Sequence, residues 1–258
     1  MSRLPVLFTA HGNPMNALGT TPFAAKLRAW GVSWPRPSAI LCVSAHREET
    51  PLSLTTSEKP KTVHDFYGFP RALFELRYPA PGAPAVAGRA ASLLAAAGLP
   101  ARLDTAAGLD HGTWAPLLVA LPAADVPVVQ LSLPARSRLE TCAAMGRALA
   151  PLRDEGVLLL GSGNLVHNLR EADLSAADLP VDRWAAEFDG WVAGRISAGD
   201  VDALASLAGA PDARRAHPTL EHYAPVVACA AAGAGDPASF PVAGFEHANL
   251  SLRCVRWG

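Results

Sequence analysis

Residues 157–167, VLLLGSGNLVH, join four apolar residues to three small ones and, after a short turn, to a histidine. An apolar run of this length that ends at glycine is typical of a buried strand. The same order occurs in residues 4–11, LPVLFTAH, and in residues 39–46, AILCVSAH. Side chains at the carboxyl ends of strands converge in open α/β sheets. The pattern therefore predicts that three histidines approach one another: His11, His46 and His167.

Outward from these stretches, short apolar runs alternate with longer Ala/Leu-rich segments, which predicts strands interleaved with helices. The chain has 258 residues, a length that can bury one sizeable core, so we predict one α/β domain over residues 1–258. The predicted strands are Val6–Thr9, Ala39–Val43, Val126–Leu131, Val157–Leu160, Phe240–Val242 and Leu250–Val255. The predicted helices are Pro22–Trp30, Pro84–Ala97, Trp114–Leu121, Leu139–Leu152, Asp182–Ala198, Val201–Leu207 and Glu221–Ala232.

Composition excludes several classes of partner. The formal net charge is -1 and no Lys/Arg cluster occurs, which argues against nucleic acid. No stretch approaches the ~20 apolar residues that cross a bilayer, which argues against a membrane protein. The four cysteines are scattered without a CxxC pair, and this predicts reduced thiols and a cytoplasmic location.

The span Leu52–Pro81 predicts a long loop, because Pro and Gly residues punctuate it throughout. Loops of that length in a compact domain usually carry function. Its segment VHDFYGFP contains three candidate substrate-binding residues, for each of which a purely structural role stays open. His64 either faces a substrate or pins the loop. Phe66 and Tyr67, with Phe69, either form an apolar wall against an aromatic ring or simply pack the loop.

Eight histidines in one chain raise the question of a metal, since neutral imidazole is a common ligand of zinc and iron. Besides the three at strand ends, His222 lies at the start of a predicted helix and His111 lies in a glycine-containing loop before another. A single histidine after a strand is more often structural, but three favour a metal site. The patterns HExxH, GxSxG and GxxxxGK[ST] are absent, so spacing alone does not define the reaction.

Eight sequence motifs are more specific than the spacing of the histidines: HGNPMNAL, VSAHRE, TVHDFYGFP, YPAPG, LDHGTWAPL, PVVQLSL, GSGNLVHNLR and PTLEHYAP. In this order, from His11 to Trp257, the chain resembles the class III extradiol ring-cleaving dioxygenases. More narrowly, it resembles their 4,5-DOPA dioxygenase branch. The resemblance implies a single α/β domain with a mixed central sheet flanked by helices. It also implies that O2 opens the ring of a catechol, a DOPA-like ortho-diphenol.

The resemblance also implies roles for individual residues. His11, His46 and His222 fall on the metal-ligand motifs. His167 falls on a histidine beside the metal, either a fourth ligand or the acid/base group. His111 matches a pocket histidine that assists substrate or oxygen. Ferrous iron is the implied cofactor for activity, and zinc is the other metal expected in the same site.

Two other functions stay open at this point. One is a zinc-dependent hydrolase, in which metal-bound hydroxide attacks a substrate. The other is a non-enzymatic metal-binding module with the same fold. The resemblance implies a small aromatic substrate and O2 as partners, and the sequence leaves open whether the chain is a monomer or a small homo-oligomer. Asn13, where relatives commonly have serine, and Tyr67, at a variable position, depart from the resemblance.

Overall fold

A computed structural model describes residues 3–258 as ten strands, nine α-helices and two 3-10 helices. The strands are β1 (Val6–Ala10), β2 (Ala39–Glu49), β3 (Leu52–Thr55), β4 (Ala101–Asp104), β5 (Val128–Pro134), β6 (Val157–Gly163), β7 (Ala238–Val242), β8 (Phe245–Glu246), β9 (Leu250–Ser251) and β10 (Cys254–Trp257). The α-helices are α1 (Pro22–Gly31), α2 (Arg71–Glu75), α3 (Pro84–Ala96), α4 (His111–Ala120), α5 (Leu139–Leu149), α6 (Arg183–Ser197), α7 (Val201–Ser206), α8 (Ala213–Ala216) and α9 (Ala224–Ala232). The 3-10 helices are Pro14–Leu18 and Ala150–Glu155.

Eight strands form one mixed sheet in the order β4-β3-β5-β2-β6-β1-β10-β7. The four central strands β5, β2, β6 and β1 run parallel. Antiparallel neighbours flank them, with β3 against β5 on one side and β10 against β1 on the other. Strands β8 and β9 form a separate two-stranded ribbon. The predicted fold class, an α/β domain with a mixed central sheet flanked by helices, is confirmed.

Alternate side chains of the central strands enter two different hydrophobic cores. In β2, Leu41 and Val43 pack in the core that is closed by α3, α5, α6 and α9. Their neighbours Ile40 and Cys42 pack on the opposite face, in the core that is closed by α1 and α4. Because both faces are covered, the strand is apolar at nearly every position rather than at every second one. This explains why the sequence of the central strands reads as continuous apolar runs.

The register of the parallel strands brings their carboxyl ends to one edge. Ala10 of β1 pairs with Gly163 of β6, and Ser44 of β2 pairs with Ser162. The residues that follow β1 and β6, and the end of β2, therefore share one side of the sheet. That edge is where the sequence predicts its histidines.

The predicted long loop over Leu52–Pro81 is only partly a loop. It contains β3 at its start and α2 near its end, and β4 was not predicted at all. Strand β4 is at the edge of the sheet and its residues are half-buried or exposed, so it lacks an apolar pattern. Strand β3 is only four residues long, LSLT, which is too short for alternation to distinguish it from a loop.

Other predicted boundaries differ as well, among them those of the last predicted strand and of α4. The predicted strand Leu250–Val255 is divided into β9 and β10, two strands of different sheets. Helix α4 begins at His111 rather than at Trp114, because the Asp110 side chain caps it by accepting a hydrogen bond from the Thr113 amide. Along residues 3–258, no helix is both long and apolar enough to cross a membrane.

The close packing of α5 on α9 predicts that substitution of a glycine at their contact lowers stability. A Cβ at Gly146 in α5 would overlap the backbone carbonyl of Ala228 in α9, whereas a Cβ at Gly194 in α6 meets nothing. We expect Gly146→Ala to lower the free energy of unfolding by about 1–3 kcal/mol because the two helices must separate. The control Gly194→Ala should raise it by roughly 0.5–1 kcal/mol through helix propensity. Urea unfolding measures both, and shifts of the same sign would contradict this account of the α5–α9 contact.

Candidate metal centre

Three imidazoles meet at the carboxyl edge of the sheet. Nitrogen atoms of His11, His46 and His222 all lie within 4.8 Å of one another. The Nε2 atoms of His11 and His46 are 3.1 Å apart. Two nitrogens that each lie about 2.0–2.1 Å from one ion are separated by roughly 3 Å when they occupy adjacent positions. The spacing therefore fits nitrogen ligands that share a metal ion.

A serine sets the tautomer of His11. Ser162 Oγ lies 3.0 Å from His11 Nδ1, and the same hydroxyl donates its hydrogen to the Gly112 carbonyl. Since the hydroxyl has one hydrogen, it must accept the hydrogen bond from His11, so Nδ1 carries the proton. The lone pair on Nε2 is then free to face the metal position.

The other two histidines also have an oxygen on the Nδ1 side. His222 Nδ1 lies 3.2 Å from Glu221 Oε1. His46 Nδ1 lies 3.9 Å from Asp65 Oδ2, beyond hydrogen-bond range but close enough for electrostatic attraction. Metal-binding histidines usually direct their second nitrogen at a carboxylate, carbonyl or water in this way. The surroundings of the three rings thus fit a metal site.

Burial keeps these imidazoles neutral. It lowers the pKa of both His11 and His222 well below the ordinary value, and nearby imidazoles lower it further. Burial, with the adjacent His111, lowers the pKa of His46 to about 3, against the opposing pull of Asp65. A protonated imidazole has no lone pair to offer, so low pKa values favour metal binding at neutral pH.

His167 lies against this group without joining it. Its ring stacks on that of His222, with the ring centroids 3.5 Å apart and the planes only 5° from parallel. Its backbone amide donates to the Ala216 carbonyl, which fixes the segment after β6. Burial, with the nearby His217 and His111, lowers its pKa to about 3. His167 is therefore a neutral base beside the metal position and lies outside the three converging nitrogens.

Asp65 is a residue that the sequence reasoning missed. Its Oδ1 accepts a hydrogen bond from the backbone amide of His111 at 2.9 Å. It also lies 2.9 Å from Nδ1 of that residue. The ring centroids of His111 and His46 are 3.9 Å apart. His46, Asp65 and His111 thus form a second group beside the first, and the HDF sequence in the long loop was the available signal.

The aromatic residues of the loop have different positions. The Phe66 ring centroid lies 5.4 Å from that of His111, so Phe66 borders the histidines. His64 Nε2 lies 3.1 Å from the Leu76 carbonyl, a contact that pins the loop. Tyr67 is 92% exposed. Only Phe66 of the predicted substrate-binding residues is therefore brought beside the histidine group.

Comparison with known proteins assigns this chain to a family. Residues 7–252 match the family described as the catalytic LigB subunit of aromatic ring-opening dioxygenase. The chain belongs to the LigB family. It is accordingly an oxidoreductase that opens aromatic rings in the extradiol manner, and the resemblance predicted from the eight motifs is confirmed.

Individual LigB-family relatives match over nearly the whole chain. A protein of Escherichia coli (strain K12) named 4,5-DOPA dioxygenase extradiol is 40% identical, covering 100% of this chain and 96% of the relative. A Beta vulgaris protein of the same name is 38% identical, covering 88% of this chain and 86% of its own. The crystal structure of an uncharacterized Escherichia coli K12 protein superposes with a TM-score of 0.85 at 36% identity, over 99% of this chain and 100% of that one.

The hydrogen bonds of Ser162 make a prediction about metal affinity. Ser162→Ala leaves His11 Nδ1–H without its acceptor, so Nε2 is no longer directed at the metal position. We expect metal affinity to fall about 10–100-fold, measured by chelator competition. Ser132→Ala is the matched control, because Ser132 is also fully buried but bonds the Ser53 amide away from the histidines. Equal metal affinity in the two variants would contradict the role of Ser162.

Proposed function

We propose that this chain opens the ring of a DOPA-like ortho-diphenol with O2, using ferrous iron held by His11, His46 and His222. The observation that carries the proposal is the convergence of three neutral imidazole nitrogens in a member of the LigB family. Three protein ligands leave open positions on a six-coordinate ion. When bound, ferrous iron supplies the positions at which a catechol and dioxygen meet.

In this proposal His167 moves a proton rather than binding metal. Burial keeps it neutral, so its ring offers a lone pair that can accept a proton from a catechol hydroxyl and later return it to the cleaved product. Stacking on His222 holds its ring beside the metal position. General acid–base assistance of this kind contributes about 10²–10⁴-fold to a rate.

The second histidine group positions the substrate. Asp65 accepts the His111 amide and thereby fixes the start of α4, so that the His111 ring stands beside His46. From there His111 can donate a hydrogen bond to substrate or oxygen. Phe66 provides an apolar face for the aromatic ring of the substrate. His64 orders the loop, and Tyr67 meets only groups that extend towards solvent.

Four free cysteines bear on the compartment. Cys42, Cys142, Cys229 and Cys254 are all buried and unpaired in residues 3–258. Reduced, buried thiols are typical of cytosolic proteins, whereas exported proteins of this size often carry disulfides. We therefore propose that the enzyme works in the cytoplasm.

The direct test is anaerobic loading with Fe(II), followed by L-DOPA and oxygen. We expect stoichiometric uptake of O2 and a new yellow absorbance from the ring-opened semialdehyde. A zinc-loaded sample is the control for the role of iron, because three histidines are also a ligand set of catalytic zinc. That sample should be inert towards catechols. If the iron-loaded protein takes up no O2 with L-DOPA or with simpler catechols, the result would instead favour the hydrolase or the non-enzymatic module.

A second prediction separates the proton carrier from the ligands. His167→Ala should retain Fe(II) but lose about 10²–10⁴-fold in kcat, because it removes only the acid–base group. His222→Ala removes a ligand and should lose Fe(II) itself. The measurements are iron content after desalting and oxygen uptake by the loaded protein. Unchanged turnover in the metal-loaded His167→Ala variant would exclude the acid–base role.

A further inference from the structure

We propose that Glu246 and His247, at the turn between β8 and β9, are positioning residues for the metal site. Glu246 fixes the backbone that follows His11, and His247 connects that backbone to the loop after His167. The inference rests on the proposed function, because it concerns a candidate metal ligand. Neither Glu246 nor His247 belongs to the histidine groups of the metal centre, so both are additions to the site.

The Glu246 carboxylate binds the turn that directly follows His11, here called the His11 turn, which contains Gly12, Asn13 and Asn16. Oε1 accepts a hydrogen bond from the Asn13 backbone amide, and Oε2 accepts one from the Asn16 side chain at 3.4 Å. A Cβ at Gly12 would lie only 2.5 Å from Oε1, so the carboxylate packs on the backbone next to His11. Loss of this carboxylate would therefore free the backbone that carries a candidate ligand.

The burial of Glu246 is unfavourable unless its oxygens are used. The residue is 6% exposed, and no lysine or arginine of residues 3–258 forms an ion pair with it. Burial raises its pKa, and the hydrogen bond from the Asn13 amide opposes that rise. Buried charged groups are usually paired or hydrogen-bonded. Both oxygens of Glu246 bind the His11 turn, which indicates that the buried carboxylate serves to hold this turn.

His247 connects the His11 turn to the loop between His167 and α6, here called the His167 loop. Its Nδ1 lies 2.9 Å from the Ala176 carbonyl of that loop. A carbonyl can only accept, so Nδ1 carries the proton and Nε2 has the lone pair. Nε2 lies 3.4 Å from Asn13 Nδ2, which donates to it. One imidazole thus bridges the segment after a candidate ligand and the segment after the candidate acid–base residue.

The backbone of the β8–β9 turn holds the His167 loop as well. The His247 amide donates to the Ala177 carbonyl at 3.0 Å, and the His247 carbonyl accepts from the Asp173 amide at 3.2 Å. The Ala248 carbonyl accepts from the Asp182 amide at 2.9 Å. His247 and Ala248 have φ values of 54° and 69°, which are uncommon for residues other than glycine. Such a conformation persists only where the surrounding contacts impose it.

Glu246 and Ser162 control different parts of His11. Ser162 binds the ring and sets its tautomer, whereas Glu246 holds the backbone that carries the ring. A ligand side chain has to be kept within about 0.5 Å of its binding geometry, and this requires both the ring and the backbone to be fixed. His247 extends the same control to the loop that follows His167.

The test measures the affinity of the chain for Co(II) by chelator competition, together with the visible absorption of bound Co(II), which reports ligand geometry. Glu246→Ala removes the acceptor of the Asn13 amide, and we expect affinity to fall about 10–100-fold with a changed spectrum. Glu246→Asp keeps the charge but not the reach, so it should show a similar loss and serves if Glu246→Ala fails to fold. Glu246→Gln keeps the reach and an oxygen acceptor, and its affinity should stay within about fivefold of wild type.

Asp236→Ala is the matched control for loss of a carboxylate. Asp236 pairs with Arg153, which binds the Leu4 carbonyl before β1, whereas His11 follows β1 at its other end. This variant should lower stability but leave Co(II) affinity within about twofold of wild type. Urea unfolding of the metal-free variants shows which changes in affinity come from stability alone.

A second set of variants tests the bridge through His247. His247→Asn removes the imidazole but tolerates positive φ, and Asn13→Ser keeps the cap on the Met15 amide but loses the donor to His247. Each should lower Co(II) affinity about 3–10-fold, and the double variant should bind no more weakly than His247→Asn alone, because both remove one contact. Ala248→Gly relieves strain without removing a side-chain contact and should bind Co(II) as wild type does. Fully additive losses would contradict the bridge.

Hydrogen exchange of the metal-free chain separates this positioning role from the proposed function. Glu246→Ala should speed exchange in the His11 turn at least about tenfold, and His247→Asn should speed it in the His167 loop, while β6 stays unchanged. If this holds but wild type binds no Co(II), or His11→Ala binds it as tightly, the proposed function fails and the role of Glu246 and His247 in holding the two segments stands. If His11→Ala loses Co(II) but Glu246→Ala does not, or if Glu246→Gln loses as much affinity as Glu246→Ala, the positioning role alone is overturned.

Discussion

The parallel pairing of β1, β6 and β2 is the constraint on which the site depends. Neighbouring strands lie about 4.8 Å apart, so β1 and β2, on either side of β6, are separated by roughly twice that distance. His11 and His46 nevertheless bring their Nε2 atoms to 3.1 Å by leaning together over the end of β6. This is possible because β6 ends in small residues. One of them, Ser162, also holds His11 in the required tautomer.

The small residues at the end of β6 also allow His222 to approach the site. A Cβ at Gly163 would overlap the His222 carbonyl, and the next residue, Asn164, donates its amide to that same carbonyl at 2.9 Å. His222 can therefore approach the site only because its backbone packs directly on the end of β6. The segment GSG thus ends strand β6, orients the imidazole of His11 and leaves room for the backbone of His222. A larger residue at Gly163 would displace His222 without altering the sheet.

These contacts explain what the sequence could and could not predict. Strand-end histidines were predictable, because continuous apolar runs mark buried parallel strands and their ends lie at one edge. His222 was assigned only by resemblance, since it precedes a helix and reaches the site through a backbone contact that no spacing reveals. Asp65 was missed for a similar reason: it acts across the chain on the start of α4, and a loop sequence does not specify which helix it caps. Edge strand β4, without an apolar face, carried no signal.

The two overlapping groups of ligand-type side chains form one site rather than two. His46 belongs to both, to the group with His11 and His222 and to the group with Asp65. Its two nitrogens divide the roles, because Nε2 faces His11 whereas Nδ1 faces Asp65. A histidine that binds metal through one nitrogen generally directs the other at an acidic or carbonyl oxygen. In the proposed site Asp65 is therefore the partner of a candidate ligand, His46, rather than a further ligand.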